Sequence, residues 1–599
     1  MPLCPHAPTA VLLALLLLLT ACGGGQNPGA PTASPDVSPS AAPSLSGDAA
    51  PDRQALALGA NPPLGAPPKM TPREAARLAD QASLGGNARL LSDMRQLGAP
   101  AWVAKQFRQP VSRYRSGGSG SVHVNVGPVF YCDRPGSSPT CWRDEFSSEP
   151  LLWDFTRNAL GGSDQLRQRV ALALQQLIVV SELEVQGTYG LRYHHNLLLD
   201  HAFGNYRELL RRMILSPVMG DYLDHANNDP DAPNENFSRE LLQLFSLGPC
   251  ELEPTGALKG GRCQPSYDNA MVRNYAFALT GWTYPAGGST QWGCWPQGTN
   301  CTYYEGDMLP RPARHHAAAR PLLSGFSKTA GSTPQQALDA VLDSLMAHPN
   351  LPPFVSRHLI QSLVSSNPSG AYVQRVGQAF TTGRYTHREG QVFGSGQRGD
   401  LAATVAAVLL DDEARSLPPP AQAGQLREPM LFMTGVLRQL DGVSDGAALG
   451  WWWGGALRQH LFRPPSVFNF FPPDYPVPGT ALVGPAFGIH NANSALERLN
   501  FLTYLLDWGG SAPDPSIPGA TGTRVRLDAW LAQADNAAKL LDRLAEQALG
   551  EPLREPARSQ ALTALNAWTQ ASSGNDWRLN RVRTAALLVF ASPQYQVPR

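Results

Sequence analysis

Apolar residues recur every three or four positions along most of the chain, which is the spacing of one buried helix face. Alternation of apolar and polar residues, which is typical of strands, is nearly absent. The run Thr71-Pro72-Arg73-Glu74 has the form of a capping box with proline at the first helical position. We therefore expect an all-α body with helices at 71–82, 87–97, 101–107, 151–160, 164–180, 191–223 in three pieces, 267–279, 333–347, 353–364, 371–381, 400–410, 426–440, 493–508 and in three or four segments of 527–591.

Long irregular loops should separate these helices. The chain contains 56 Gly and 54 Pro, the residues that interrupt regular structure most strongly. One short strand is expected at 121–126. Residues 461–475, here called the proline-rich coil, contain too much proline for regular structure and too many aromatic residues for full exposure. We expect this coil to pack over the core.

A polar loop runs into a half-buried helix between residues 224 and 248. The loop contains Pro230, Pro233 and several Asn and Asp residues, which favour turns. Apolar residues at 237, 241, 244 and 247 then predict a helix that starts near Asn234 or Asn236 and ends at Gly248. Because so many carboxylates and carboxamides are gathered here, we expect 224–240 to be the functional centre.

The first 68 residues should lie outside the folded body. Residues 1–21 contain an apolar run that is too short to span a bilayer but suits a signal peptide. Residues 19–23 resemble a bacterial lipobox, in which Cys22 becomes the lipidated first residue; an ordinary secretory signal is the alternative. Residues 22–68 are rich in Pro, Ala and Ser and predict a disordered tether with a reach of about 35–40 Å. The expected location is the bacterial cell envelope.

The remaining cysteines form near-neighbour pairs. Leaving out Cys4 and Cys22, they fall as Cys132 with Cys141, Cys250 with Cys263, and Cys294 with Cys301. An oxidising compartment favours disulfides that close short insertions. Other pairings stay open, and a zinc site is the alternative, although the spacings do not match a Cys-x2-Cys ribbon.

Charge excludes one class of partner. The chain has 48 Lys and Arg residues against 48 Asp and Glu residues, so no net field favours nucleic acid. A chain of 599 residues with 43% hydrophobic content can form two to four domain-sized units. We expect one body at 69–599, with sub-boundaries near 283–332 and 509–525.

Five separated segments together resemble one bacterial family. They are Tyr-His-His at 193–195 with His-Ala-Phe-Gly-Asn-Tyr-Arg-Glu-Leu-Leu at 201–210, Asn-Glu-Asn-Phe-Ser-Arg-Glu-Leu-Leu-Gln-Leu-Phe-Ser-Leu-Gly at 234–248, Leu-Thr-Gly-Trp at 279–282, Pro-Ser-Val-Phe-Asn-Phe-Phe at 465–471 with Asp-Tyr at 474–475, and Ala-Ser-Pro-Gln-Tyr at 591–595. In this order they resemble the domain-of-unknown-function family DUF1800 over about residues 70–599. The family's His-Asp and following Lys are replaced here by His315-His316 and Arg320, so no role is carried over to that segment.

The resemblance implies an exported, mostly helical protein of unassigned activity. It also implies a partner, because members are often encoded beside an exported family related to sulfatases and phosphatases.

Acid–base or glycosidase chemistry requires two carboxyl groups that converge on one bond. The candidate catalytic residues are Glu235, Glu240, His194 and His195, and the candidate substrate-binding residues are Asn234, Asn236, Arg239 and Trp282. Five residues of helix turn by about 140°, so Glu235 and Glu240 diverge unless a neighbouring segment supplies a partner. The structural alternative is an ion pair between Glu235 and Arg239, with Asn234 or Asn236 as a helix cap.

Oxygen-bearing residues alternate in the loop as they do in calcium sites. The candidate ligands for calcium or another divalent metal are Asp224, Asn227, Asp229 and Asp231. An EF-hand is excluded, because Ala232 and Ser238 stand where its glycine and its bidentate glutamate would be. A transition-metal site could instead use His194, His201 or His225.

These observations lead to two hypotheses about function. The first is a hydrolase or lyase that acts on an envelope or extracellular polymer such as a glycan, with residues 451–453, three tryptophans, as a surface for sugar rings. The second is a non-catalytic binding or assembly lipoprotein that works with an exported partner. The sequence leaves open whether the protein is an enzyme.

Overall fold

The capping box predicted at Thr71 starts a helix in the computed structural model, which describes residues 69–120, 122–123, 129–288 and 299–599. Thr71 Oγ1 accepts a hydrogen bond from the Glu74 amide, and the Glu74 carboxylate accepts one from the Thr71 amide. Thr333 and Gln336 form the same reciprocal pair. Local sequence therefore sets where these two helices begin.

Helices make up most of the described residues. In chain order they are α1 Pro72–Ala82, α2 Ala88–Leu97, α3 Ala99–Phe107, α4 Cys141–Phe146, α5 Glu149–Gly161, α6 Gln165–Leu177, α7 Thr188–His201, α8 Tyr206–Leu215, α9 Pro217–Tyr222, α10 Asn236–Gln243, α11 Asn269–Ala278, α12 Pro334–Ala347 and α13 Leu351–Leu363. They continue as α14 Gly370–Thr382, α15 Leu401–Leu410, α16 Asp412–Arg415, α17 Pro429–Gln439, α18 Trp453–Ala456, α19 Ala492–Leu506, α20 Asp528–Leu531, α21 Ala537–Leu549, α22 Ala557–Asn566, α23 Gln570–Ser573, α24 Trp577–Ala591 and α25 Pro593–Gln596. The all-α prediction is confirmed for this part of the chain.

Strands are short and pair locally. The antiparallel pairs are β1 Trp282–Thr283 with β2 Leu309–Pro310, β3 Arg320–Pro321 with β4 Ser327–Lys328, and β5 Tyr385–Thr386 with β6 Val392–Phe393. Most of the predicted strand at 121–126 lies outside the described residues.

One cluster of buried apolar side chains runs from Met70 to Tyr595. Helix α13 packs against α6, α14 and α15, and α24 packs against α19, α21 and α22. Helix α15 is apolar on every side and is buried along nearly its whole length, as expected for a central helix. Helix α10 packs against α11 at the edge of this core.

Helix α10 ends earlier than its sequence predicts. It stops at Gln243 and not at Gly248. The Phe245 amide donates to the Glu240 carbonyl and the Leu247 amide to the Leu242 carbonyl, so the chain leaves the helix in wider five-residue turns. Gly248 then adopts a positive φ of 75°. The motif is therefore a short helix followed by a wide turn.

Disulfides close two insertions. Cys132 is bonded to Cys141 and Cys250 to Cys263, which confirms two predicted pairs. Cys301 is also disulfide-bonded, while Cys294, its predicted partner, lies outside the described residues. These bonds favour an extracellular or periplasmic location.

Several predictions concern residues that the structure does not describe. The signal peptide at 1–21, the lipidated Cys22 and the tether at 22–68 all lie outside the described residues. Within the described ranges, none of the helices combines the length and apolar character needed to cross a membrane. The sub-boundaries near 283–332 and 509–525 stay predictions.

Candidate functional site

The N-terminal end of α10 uses its polar side chains to hold its own loop. Glu235 forms an ion pair with Arg239 at 3.3 Å, and both side chains are partly exposed. Asn234 Oδ1 accepts a hydrogen bond from the Asn236 amide at 2.8 Å, which closes an Asx turn. Asn228 binds both the amide and the carbonyl of Asn234. The ion pair matches the structural alternative for Glu235, whereas the N-cap position of α10 is occupied by Glu235 itself and neither Asn234 nor Asn236.

Three of the four proposed metal ligands, Asp224, Asn227 and Asp229, use their side chains to bind partners within the protein. Asn227 Oδ1 accepts from Thr283 Oγ1 at 2.6 Å, and Asp229 forms an ion pair with Arg314 at 2.8 Å. Asp229 also accepts from the Asp231 amide, and Asp224 accepts from Asn236 Nδ2. In the part of the chain that the structure describes, no group of three or more His, Cys, Asp or Glu residues could hold a metal ion. These contacts position the loop.

The candidate histidines lie in the core. His194 and His195 are fully or almost fully buried, and His194 Nδ1 lies 3.0 Å from Ser216 Oγ. The His195 ring packs edge-on against Tyr114 and Phe462. His225 stacks on Phe237. Burial lowers the pKa of His194 and of His225 to about 3, so both are neutral at physiological pH.

Trp282 is a structural residue. Only 3% of its surface is exposed, and it lies in β1 opposite Pro310. Its carbonyl accepts a hydrogen bond from the Asn227 amide at 2.8 Å, which ties β1 to the polar loop. The prediction that Trp282 contacts substrate is not supported, because the apolar indole is buried in the core.

Glu240 is the unusual carboxylate of this motif. It is 7% exposed, and its Oε2 atom has no hydrogen-bond partner among the described residues. Burial raises the pKa of this carboxyl group, and the neighbouring Arg239 charge opposes that shift only in part. Its charge also helps to raise the pKa of Tyr222 and of Tyr267. No hydrogen bond of the described residues joins Glu240 to His194 or His195.

A cleft of about 470 Å³ opens beside the other end of α10. Residues 243–250, which follow Glu240 in the same motif, form one side of it. The proline-rich coil forms another side through residues 467–474. Two segments that lie far apart in the sequence, and that both belong to the family resemblance, therefore meet at one cavity.

The cleft has a mainly apolar lining with a few polar groups. The apolar residues include Leu244, Leu247, Phe354, Leu426 and Phe471, and the polar residues include Gln176, His358, Gln361, Ser362 and Glu428. Glu428 accepts hydrogen bonds from Gln176 Nε2 at 2.6 Å and from Gln459 Nε2 at 2.7 Å. Phe468, which we expected to be packed, is 56% exposed at the cleft.

His358 and Ser362 do not form a nucleophile–base pair in this conformation. His358 Nε2 lies 2.8 Å from the Ala173 carbonyl and 3.4 Å from Ser362 Oγ. A carbonyl only accepts hydrogen bonds, so Nε2 carries the proton and donates a hydrogen bond to the Ala173 carbonyl. It cannot at the same time remove the proton of Ser362. The pair supplies hydrogen-bonding groups to the cleft.

Glu240 connects to the cleft through its helix. Gln243 and Leu244 follow Glu240 by three and four residues, which places them on the same side of the motif. The Tyr267 hydroxyl donates a hydrogen bond to Gln243 Oε1 at 3.4 Å. Glu240 thus lies one turn away from the lining of the cleft, whereas Glu235 lies at the far end of α10.

A comparison with protein families matches residues 77–597 to the family described as "Protein of unknown function (DUF1800)". The chain belongs to the DUF1800 family. A search of curated proteins and a search of solved structures gave no match. The DUF1800 match covers α10, Glu240 and both segments that line the cleft, and it confirms the resemblance drawn from the five sequence motifs.

Sequence reasoning missed several residues of this DUF1800 cleft. Asn350 is fully buried and binds three backbone groups of the segment 247–252. His358 and Gln361 lie within a correctly predicted helix but have no motif around them. Their spacing of three residues, which places both on one side of α13, was the signal that could have indicated them.

Proposed function

We propose that the protein is an extracytoplasmic binding protein whose cleft accepts a ligand with an apolar body and a polar end. The single observation that carries the proposal is the meeting of two family segments, 243–250 and 467–474, at one cavity. Its size of about 470 Å³ is within the range of sites for small molecules or single side chains. The proposal corresponds to the second hypothesis from the sequence, a non-catalytic binding protein, and assigns the cleft as its binding site.

The lining supports this class of ligand. Apolar walls contribute about 25 cal/mol for each Å² of apolar surface that a ligand buries against them. The polar end of the ligand would meet Gln361, Glu428 and the His358–Ser362 pair. A bare sugar would leave most of the apolar wall uncovered, so an amphipathic ligand fits better than a glycan.

The proposal also places the protein in the cell envelope. Export by the signal peptide at 1–21 and a lipid anchor at Cys22 would hold the cleft near the envelope membrane, within the reach of the 22–68 tether. An exported partner related to sulfatases and phosphatases could supply or receive the ligand. The disulfides support an extracytoplasmic location.

A fluorescent amphipathic probe tests the cleft. 1-Anilinonaphthalene-8-sulfonate has an apolar body and one polar end, and we expect it to bind the full chain. Phe468→Asp places a charge against the apolar lining and should raise the Kd of the probe by about 10-fold or more. The measurement is a fluorescence titration at neutral pH.

Trp508→Asp provides the matched control. Trp508 is 65% exposed and does not line the cleft, so the same kind of change there should leave the Kd unchanged. Equal weakening by both variants, or no binding to the wild-type protein, would contradict the proposal.

Glu240 supports a second candidate, the hydrolase or lyase that acts on an envelope polymer. A buried carboxyl group with a raised pKa can remain protonated and serve as a general acid. Activity should therefore fall as the pH rises through the pKa of Glu240. Glu240→Gln should lower turnover about 100-fold, which is the usual contribution of a general acid.

The assay for this candidate is turnover on a panel of envelope polysaccharides across a pH series. Glu235→Gln is the control, because Glu235 is partly exposed and already paired with Arg239. The enzyme hypothesis fails if the wild-type protein turns over none of the panel, or if Glu240→Gln keeps the wild-type rate and pH profile.

A further inference from the structure

A second cavity of about 290 Å³ has an arginine-rich lining. It lies between α1, the residues that follow α21, and residues 593–599. The charged residues that line it are Arg73, Arg77, Asp80, Glu551, Arg554 and Arg599. This cavity is separate from the cleft and shares no lining residue with it.

The acidic residues of this cavity are already paired with arginines. Glu551 accepts from Arg73 at 3.2 Å and from Arg554 at 2.8 Å. Asp80 forms an ion pair with the buried Arg427 at 3.0 Å. The lining itself has four arginines, at 73, 77, 554 and 599, against two carboxylates, so it retains positive charge.

Two further arginines have no acidic partner. Arg77 is 8% exposed, donates to the Ser416 carbonyl at 2.6 Å, and has an Nε–H group without a partner among the described residues. Arg599 donates only to the backbone carbonyls of Pro420, Ala421 and Ala423. Neither takes part in an ion pair within the described ranges. A buried cation without a counter-charge is costly.

Arg415 adds to this charge from behind Arg77. Its Nε and Nη2 atoms are buried without hydrogen-bond partners in the described structure. Burial, together with the Arg77 charge, lowers the pKa of Arg415 to about 9. The pKa of Arg77 itself falls to about 10 through burial and through the charges of Arg73 and Arg599. The electrostatic field of this region therefore favours an anion.

We propose that this cavity binds a phosphate group, either free or at the end of a larger molecule. Guanidinium groups match the geometry of phosphate oxygens and form strong charge-assisted hydrogen bonds with them. Phosphate carries close to two negative charges at neutral pH, which suits a lining with more than one uncompensated arginine. A carboxylate carries only one.

Isothermal titration calorimetry on the full chain tests the proposal, with inorganic phosphate and glycerol phosphate as separate ligands and acetate as the anion control at equal ionic strength. We expect one phosphate site per chain, weaker at high salt. Tighter binding of glycerol phosphate would indicate a phosphate at the end of a larger molecule, and tighter binding of inorganic phosphate would indicate the free ion. Arg77→Met should weaken binding about 10-fold or more, because one charge-assisted contact is lost.

Two further variants keep the result interpretable. Arg599→Ala should also weaken binding, and since Arg599 is exposed this change leaves the core intact. Arg388→Met is the matched control, because Arg388 is 74% exposed and is paired with an exposed Asp412. Binding that is unchanged in Arg77→Met and Arg599→Ala, equal affinity for acetate, or no binding of either phosphate ligand would overturn the proposal.

Discussion

Lowering the pH from 7.5 to 5 should reduce the free energy of unfolding by about 4 kcal/mol through the buried His194 and His225, and the buried His195 should add to this loss. The pKa of His194 and of His225 is lowered to about 3, and that of His195 is lowered well below its ordinary value of 6.5. Burial is the main cause in each case, because the charged imidazolium loses its hydration in the core. His194 and His225 are therefore neutral in the folded protein across this pH range.

The protein loses stability as the pH falls because the unfolded chain binds more protons than the folded protein. Below pH 6.5 the unfolded chain takes up a proton at each of these histidines, while the folded protein does not. The stabilisation is therefore complete above pH 6.5 and is lost as the pH falls towards 3. At pH 5 the loss is about 2 kcal/mol for each of His194 and His225. Urea unfolding at pH 7.5, 6 and 5 measures it.

His195→Leu isolates one of these contributions. Both ring nitrogens of His195 lack hydrogen-bond partners in the described structure, and its neighbours include Tyr114 and Phe462. A leucine fits such surroundings, so the variant should lose less stability than the wild type between pH 7.5 and 5. Leu198→Ala on the same helix is the control, because it should destabilise the protein equally at both pH values. An unchanged pH dependence in His195→Leu would contradict the burial argument.

Most helices could be predicted because their signals are local. Capping boxes at Thr71 and Thr333 start α1 and α12, and Pro217 opens α9 after the break at Ser216. The premature end of α10 could not be predicted, because distant residues hold it. The Tyr206 hydroxyl donates to the Phe245 carbonyl and Ser266 Oγ donates to the Gly248 carbonyl. Neither contact can be recognised from the sequence around α10.

The candidate site was predicted only in part. The sequence singled out the 234–248 motif with emphasis on its first residues, whereas the proposed cleft lies beside the other end of α10. Glu235 and Arg239 satisfy each other locally, as the i,i+4 spacing allows. The cleft exists because residues 243–250 meet the proline-rich coil, and that meeting is a property of the tertiary fold. Burial of Glu240 likewise depends on how α10 packs.

Asn350 is the residue that fixes the shape of the cleft on the α10 side. It is fully buried just before α13, and its Nδ2 donates to the Leu247 carbonyl at 3.1 Å and to the Cys250 carbonyl at 2.9 Å. Its Oδ1 accepts from the Leu252 amide at 3.0 Å. One side chain thus satisfies three backbone groups of a segment that leaves regular structure. Water cannot easily replace it at a fully buried position.

Asn350→Ala should therefore lower the free energy of unfolding by about 3–5 kcal/mol, since each buried backbone group left without a partner costs about 1–3 kcal/mol. The same change should raise the Kd of the anilinonaphthalene probe, because Leu247, Cys250 and Leu252 line the cleft. Urea unfolding and the fluorescence titration measure the two effects. Asn500→Ala is the control, because its side chain binds only the neighbouring Glu497 on α19. If Asn350→Ala lowered stability but left probe binding unchanged, the 247–252 segment would keep its shape without this anchor, and the disulfide from Cys250 to Cys263 would be the remaining constraint on it.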